Sequence, residues 1–184
     1  RGLHYLSNNL TDKFEETREK IKNFLGAKHC EEIIFTTGAT ESLNLIANSW
    51  GLNNLNKGDE IILSVMEHHS NIVPWHFLRE KIGIKIVWVD LNSDGGFDIK
   101  NIIDKVNDKT KLISITHMSN VLGLKVDVKA LCEFARPKGI LVAVDGSQAS
   151  VHQKVNVSDL DCDFYAITGH KLYGPSGSGA LYVK

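Results

Sequence analysis

The chain has 184 residues, 42% hydrophobic and 23% charged, with a formal net charge of -1. This is the composition of a globular protein with one substantial core, and near-neutral charge argues against nucleic acid or an anionic membrane as the main partner. No apolar run approaches the roughly 20 residues that cross a bilayer, and the arginine-led start lacks the apolar stretch of a secretory signal.

Residues 11–25 place Phe14, Ile21, Phe24 and Leu25 near helical spacing, and Gly26 follows as a stop, so an amphipathic helix is expected. EEIIFTT (31–37) is a β-branched and aromatic strand. ATESLNLIANSWG (39–51) is a helix with Leu43, Ile46, Ala47 and Trp50 on one face. EIILSV (60–65) is a strand, and NIVPWHFLREKIG (71–83) is a helix with Pro74 in its first turn, where proline is tolerated. IKIVWVD (84–90) is a strand, FDIKNIIDKV (97–106) a helix, KLISITH (111–117) a strand and VDVKALCEFARPKG (126–139) a helix. ILVAVD (140–145), DCDFYAIT (161–168) and GALYVK (179–184) close the chain as strands.

This alternation predicts an α/β fold of three layers: a mostly parallel sheet with helices on both faces. The strands are solidly apolar, as expected when both faces are buried. With no repeat, low-complexity tract or linker, residues 1–184 read as one domain. Cys30, Cys132 and Cys162 are too few and too widely spaced for a disulfide framework or a zinc site. They are expected to be reduced thiols in a reducing compartment. Asn9-Leu10-Thr11 and Asn156-Val157-Ser158 fit the glycosylation pattern, but without a secretory signal they read as chance matches.

In open sheets of this kind, ligands gather beyond the carboxyl ends of the strands. The segments there are TTGATE, MEHHSN, HMSNVLG, VDGSQA and TGHKLYG. They hold more groups capable of chemistry than turns require. In TTGATESLN, Gly38 allows a tight turn, and a helix starting at Ala39 or Thr40 turns free N–H groups toward an anion. Thr40 either caps that helix or adds a hydroxyl to the anion site. The pattern is neither a Walker A loop nor a Rossmann fingerprint. His68 and His69 are neighbours in an extended segment and point apart, so they do not share a metal. Asp145 ends a buried strand, where a carboxylate needs a partner to stay charged. A cation about 4 Å away supplies roughly 4 kcal/mol at an effective dielectric near 20, enough to keep a weak base protonated.

Lys171 stands beside His170 in a glycine-rich turn. A lysine amine becomes nucleophilic when it is desolvated or set near another cation, and it then forms Schiff bases. An anion site, a strand-end aspartate and this lysine together suit an aldehyde-bearing, phosphorylated cofactor with a basic ring nitrogen. Pyridoxal 5'-phosphate has all three features.

Read in order, TTGATESLN, MEHHSNIVPW, THMSNVLG, VDGSQA and TGHKLYGPSGSG resemble the large domain of group II (SUF-type) cysteine desulfurases, in the class V aminotransferase superfamily. The likeness spans essentially the whole chain, including RGLHYLS and LDCDFY. It implies the fold type I of pyridoxal-phosphate enzymes. It also implies a role for each matching residue. Lys171 would bind the cofactor as a Schiff base and then shuttle protons. Asp145 would pair with the ring nitrogen, and His68 would stack on the ring and assist proton transfer. Gln148 and Asn120 would contact the ring hydroxyl side. Ala39, Thr40, Thr168 and His170 would hold the phosphate. Ser147, Thr168 and Ala39 are mild departures from the pattern (Ala, Ser and Thr are common there).

The implied reaction takes L-cysteine to L-alanine and leaves an enzyme-bound persulfide for iron–sulfur cluster assembly. The implied partners are a second copy of the chain and a SUF sulfur-acceptor protein. The implied location is the cytoplasm in a bacterium, or a plastid or other organelle in a eukaryote. The family's sulfur-accepting cysteine and carboxylate-binding arginines lie in a second half, so this chain is expected to be a cofactor-binding core truncated at both ends. The three cysteines do not match the nucleophile's motif and are expected to be structural. Selenocysteine lyases, kynureninase-like lyases and aminotransferases share the same cradle and are the alternatives.

Overall fold

The computed structural model describes residues 4–184. Helix α1 (Tyr5–Leu25) starts earlier than its core-facing residues indicate, because Leu6, Leu10 and Phe14 keep helical spacing on an exposed face. It stops at Gly26, whose φ of 68° is the left-handed turn that glycine takes without a Cβ penalty. Strand β1 (Ile33–Thr36) leads into α2 (Ala39–Ile46). A π-turn at Ala47–Gly51 and the short α3 (Leu52–Asn54) continue that helix.

Strand β2 (Glu60–Ser64) and strand β3 (Lys85–Val89) flank α4 (Val73–Ile82). Next come α5 (Ile99–Ile103), β4 (Thr110–Thr116), α6 (Val128–Ala135) and β5 (Leu141–Asp145). Helix α5 is shorter than its apolar pattern, since Asp98 caps it by accepting from the Lys100 N–H. The chain ends with α7 (Ala149–His152), α8 (Val157–Leu160), β6 (Phe164–Thr168) and β7 (Gly179–Val183). Asn156 caps α8 and Asp161 follows it at a φ of 60°, so the first residues of DCDFYAIT belong to a turn and not to the strand.

Seven strands form one sheet in the order β1-β7-β6-β5-β4-β2-β3. Strands β2 to β6 pair in parallel, while β7 is antiparallel to both its neighbours. The mostly parallel α/β sheet expected from the sequence is the one observed. Alternate residues feed two cores. Ile62, Val142 and Val144 join Leu25, Val128 and Leu131 on one face. Ile61, Leu63 and Ala143 join Leu43, Ile46, Trp75 and Leu78 on the other. A strand buried on both faces has no polar side, which explains the unbroken apolar runs. Each fully buried large side chain contributes roughly 1.5–3 kcal/mol relative to exposure.

One consequence fixes the site. The carboxyl ends of β1, β2, β4, β5 and β6 all reach the same edge of the sheet, and β7 starts there. Gly179 pairs with both Thr36 and Thr168.

Candidate active site

At that edge lies a cavity of about 440 Å³. Its lining includes Ala39 and Thr40 from α2, His68, Asp145, and the Thr168–Lys171 segment. Four separate strand ends therefore deliver the groups that the sequence marks as capable of chemistry. A larger hollow, about 650 Å³, lies along α1, but that helix alone lines it, and of its charged side chains Lys13, Glu15 and Arg18 the last two pair with each other.

The anion end is built from backbone. Gly38 precedes α2 at φ 154°, a region favourable to glycine, and no side chain caps the helix. The first helical hydrogen bond runs from the Ser42 N–H to the Gly38 carbonyl at 3.1 Å. The N–H groups of the preceding turn have no acceptor within the helix. Thr40 is therefore not the cap, and its side chain faces the cavity lining. Gly38 fits because β7 passes beside it: a Cβ on Gly179 would stand 2.5 Å from the Gly38 Cα. Glu41 also lines the cavity, but its carboxylate accepts from the Thr37 N–H (2.5 Å) and hydroxyl (2.7 Å). Those bonds hold it below the ordinary glutamate range. Opposite α2, Thr168 Oγ1 and His170 Nδ1 lie 3.0 Å apart.

Asp145 is buried, and its Oδ1 accepts from the Ser147 N–H at 3.0 Å. Gly146, just after it, has no room for a side chain, since a Cβ would lie 1.9 Å from the Tyr165 ring. Lys171 sits in the one-turn helix Gly169–Leu172, half-buried. His68 is exposed and lines the cavity. Its Nδ1 receives the Ser70 N–H at 3.2 Å, so the neutral ring carries its proton on Nε2.

Two expected residues stand elsewhere. Asn120 lines a neighbouring cavity with Glu67, His69 and Val121. Ser119 accepts from the Val121 and Leu122 N–H groups, and this tight turn carries Asn120 outward. His68 lines both cavities. Gln148 is half-buried at the start of α7 and does not line the main cavity.

Two buried networks support the strand ends, and sequence reasoning does not single them out. His117 binds Tyr165 Oη through Nδ1 (2.9 Å) and Gln153 through Nε2 (3.0 Å). Burial pushes this imidazole down to about 4, so it is neutral. Glu67 accepts from Ser64 Oγ at 2.5 Å and from Asn71 Nδ2 at 2.7 Å. Asn71 in turn accepts from Ser114 Oγ at 2.5 Å. Burial raises Glu67 to about 7 against the pull of these donors. The available signal was an acid inside an otherwise apolar approach to a strand end.

The chain matches the aminotransferase class-V family over residues 1–184. It belongs to that family. It is 47% identical over all 184 residues to proteins named cysteine desulfurase from Escherichia coli O8 (strain IAI1) and Escherichia coli (strain K12 / DH10B). It spans about half the length of these curated relatives, 45% in each case. Among solved structures, the cysteine desulfurase CsdA from Escherichia coli superposes with a TM-score of 0.91 at 40% identity, covering 100% of this chain and 46% of that one. The apo cysteine desulfurase from Thermococcus onnurineus NA1 gives 0.92 at 39% identity, with 100% and 46% covered. SspA in complex with cysteine gives 0.91 at 30% identity, with 99% and 52% covered.

Enzymes of this family depend on pyridoxal 5'-phosphate. The lining suits that group, since it sets an uncapped helix start, a buried carboxylate and a lysine amine around one cavity. The group II assignment of the sequence reading is finer than these matches. Cys132 and Cys162 are buried, which pushes Cys132 up to about 12 and Cys162 well above the ordinary thiol range. Both thiols lack the thiolate character of a nucleophile.

Proposed function

We propose that residues 1–184 form the cofactor-binding large domain of a cysteine desulfurase that converts L-cysteine to L-alanine and passes the sulfur on through an enzyme persulfide. The observation that carries this reading is the convergence of Lys171, Asp145, His68 and the α2 start on one cavity. The 47% identity to cysteine desulfurases supports it, as does a structural neighbour that holds cysteine. EHHSNIVPW and GHKLYGP favour the group II type, which feeds iron–sulfur cluster assembly with a SUF sulfur acceptor and works as a homodimer.

In this reading pyridoxal 5'-phosphate supplies an electron sink at the substrate carbon. The α2 N–H groups, Thr40, Thr168 and His170 would bind its phosphate. Asp145 would pair with the ring nitrogen and keep it protonated. Lys171 would hold the aldehyde through its amine and then move a proton at Nζ. His68 would assist as a proton donor. Asn120 and Gln148 belong to the ring-hydroxyl side.

The test uses the full-length protein. Borohydride should fix the cofactor on Lys171, read by peptide mass spectrometry, and L-cysteine should yield alanine. Lys171→Ala should lose the visible absorption band and bring alanine release to background. An unchanged spectrum in that variant overturns the assignment.

A further inference from the structure

His68 is exposed, so hydrogen bonds and not burial set the place of its ring. Those bonds come from the turn that follows it, His69–Asn71. The Ser70 N–H and hydroxyl lie 3.2 and 2.8 Å from its Nδ1, and its backbone carbonyl accepts the Asn71 N–H at 2.8 Å. Ser70 lines the main cavity beside His68, so this turn is part of the cavity wall.

The turn is fixed from behind by the Asn71 side chain. Asn71 is fully buried, as are Ser64, Ser114 and Trp75 around it. The Trp75 Nε1–H can only donate, and it lies 3.4 Å from Asn71 Oδ1, so the amide oxygen faces α4 and the amide nitrogen faces the loop. Ser114 Oγ on β4 donates to the same oxygen at 2.5 Å. Asn71 Nδ2 donates to Glu67 Oε2 at 2.7 Å, and Glu67 Oε1 accepts from Ser64 Oγ, at the end of β2, at 2.5 Å. One amide therefore ties the cavity wall to β2, β4 and α4. A buried amide costs stability unless its polar atoms find partners, and an apolar side chain of its size would fill the same space without that demand. What the amide adds is direction.

We propose that Asn71 is a positioning residue for His68, holding the His69–Asn71 turn so that the imidazole stays at the cavity instead of swinging into solvent. Ser114 acts through Asn71, and neither lines the cavity itself. The inference rests on the reading that His68 acts on the bound cofactor.

The test is a double-mutant cycle in the full-length protein loaded with pyridoxal 5'-phosphate, crossing Asn71→Ala and Ser114→Ala with His68→Ala. Two signals are read: kcat for alanine release from L-cysteine, and the visible circular dichroism of the bound cofactor, which needs no turnover. Misplacing a reacting group by about 1 Å can cost about 100-fold, so Asn71→Ala, which loosens the turn in part, should lower kcat by about 10-fold. Ser114→Ala leaves Trp75 as a donor to Asn71 and should lower kcat by about 3-fold. This smaller deletion also carries the test if Asn71→Ala does not fold. Both variants should move the dichroic band in the direction that His68→Ala moves it. In the His68→Ala background neither should change kcat or the band further, and the band decides if turnover there is already at background. Equal changes in both backgrounds overturn the proposal, because Asn71 would then act on the fold and not through His68. Wild-type signals in both single variants overturn it as well. If His68→Ala alone leaves both signals at wild-type values, the role of His68 falls and takes this inference with it, while the Lys171 and Asp145 assignments stand.

Discussion

Glu67→Gln should make the folded protein less sensitive to alkali, and the size of the effect follows from the burial of one carboxyl. In the fold, Glu67 is raised from 4.5 to about 7, chiefly by desolvation. At about 1.4 kcal/mol per tenfold change in proton affinity, ionising it in place costs about 3 kcal/mol. Between pH 4.5 and 7 the unfolded chain has shed this proton while the folded chain keeps it. The folded state binds more protons, so stability falls as pH rises through that window. Below it both states are protonated and there is no penalty. Glutamine does not titrate, and its offset from facing the Asn71 amide is the same at every pH. The assay is urea unfolding of cofactor-free full-length wild type and variant at pH 4.5, 6 and 8. The variant should gain about 3 kcal/mol on wild type from the lowest to the highest pH, roughly 1–3 M in midpoint for usual urea slopes. Parallel curves would refute the reasoning, because they would mean that Glu67 is already ionised or already solvated in the fold.

His117 predicts the opposite slope. It is held near 4 against an ordinary 6.5, so the unfolded chain binds a proton that the fold refuses, and stability is lost as pH falls from 6.5 to 4. His117→Gln should flatten that limb in the same urea series; an unchanged limb counts against it. Gly179→Ala tests the cradle. Its Cβ would meet the Gly38 Cα at 2.5 Å and the Ile167 carbonyl at 2.8 Å, both backbone. Overpacking of this kind costs about 1–3 kcal/mol, and cofactor affinity should drop by at least the same order, read by absorbance titration. Wild-type affinity in that variant would mean that the α2 start is not part of the site.

The sheet was legible in the chain because burial on both faces leaves a strand no polar side. ILVAVD and EIILSV carry that signature, and their ends could be read as site edges before any coordinates. The elements that resisted were those whose signal is local and polar: α8, made by Asn156 capping four residues, and the early start of α1, whose Leu6 and Leu10 face outward. The site divides in the same way. Lys171, Asp145 and the TTGATE turn announce themselves, since their residue types have little reason to end apolar strands. Glu67 and His117 do not. Their surroundings join residues 43 and 48 positions apart in sequence, Asn71 with Ser114 and His117 with Tyr165, which only the sheet order brings near. Sequence alone determined which groups stand at the strand ends. The tertiary structure decided which of them share a cavity, setting Asn120 in the neighbouring hollow and leaving Gln148 out of the main one. It also decided which are charged, because desolvation is a property of surroundings and not of the residue.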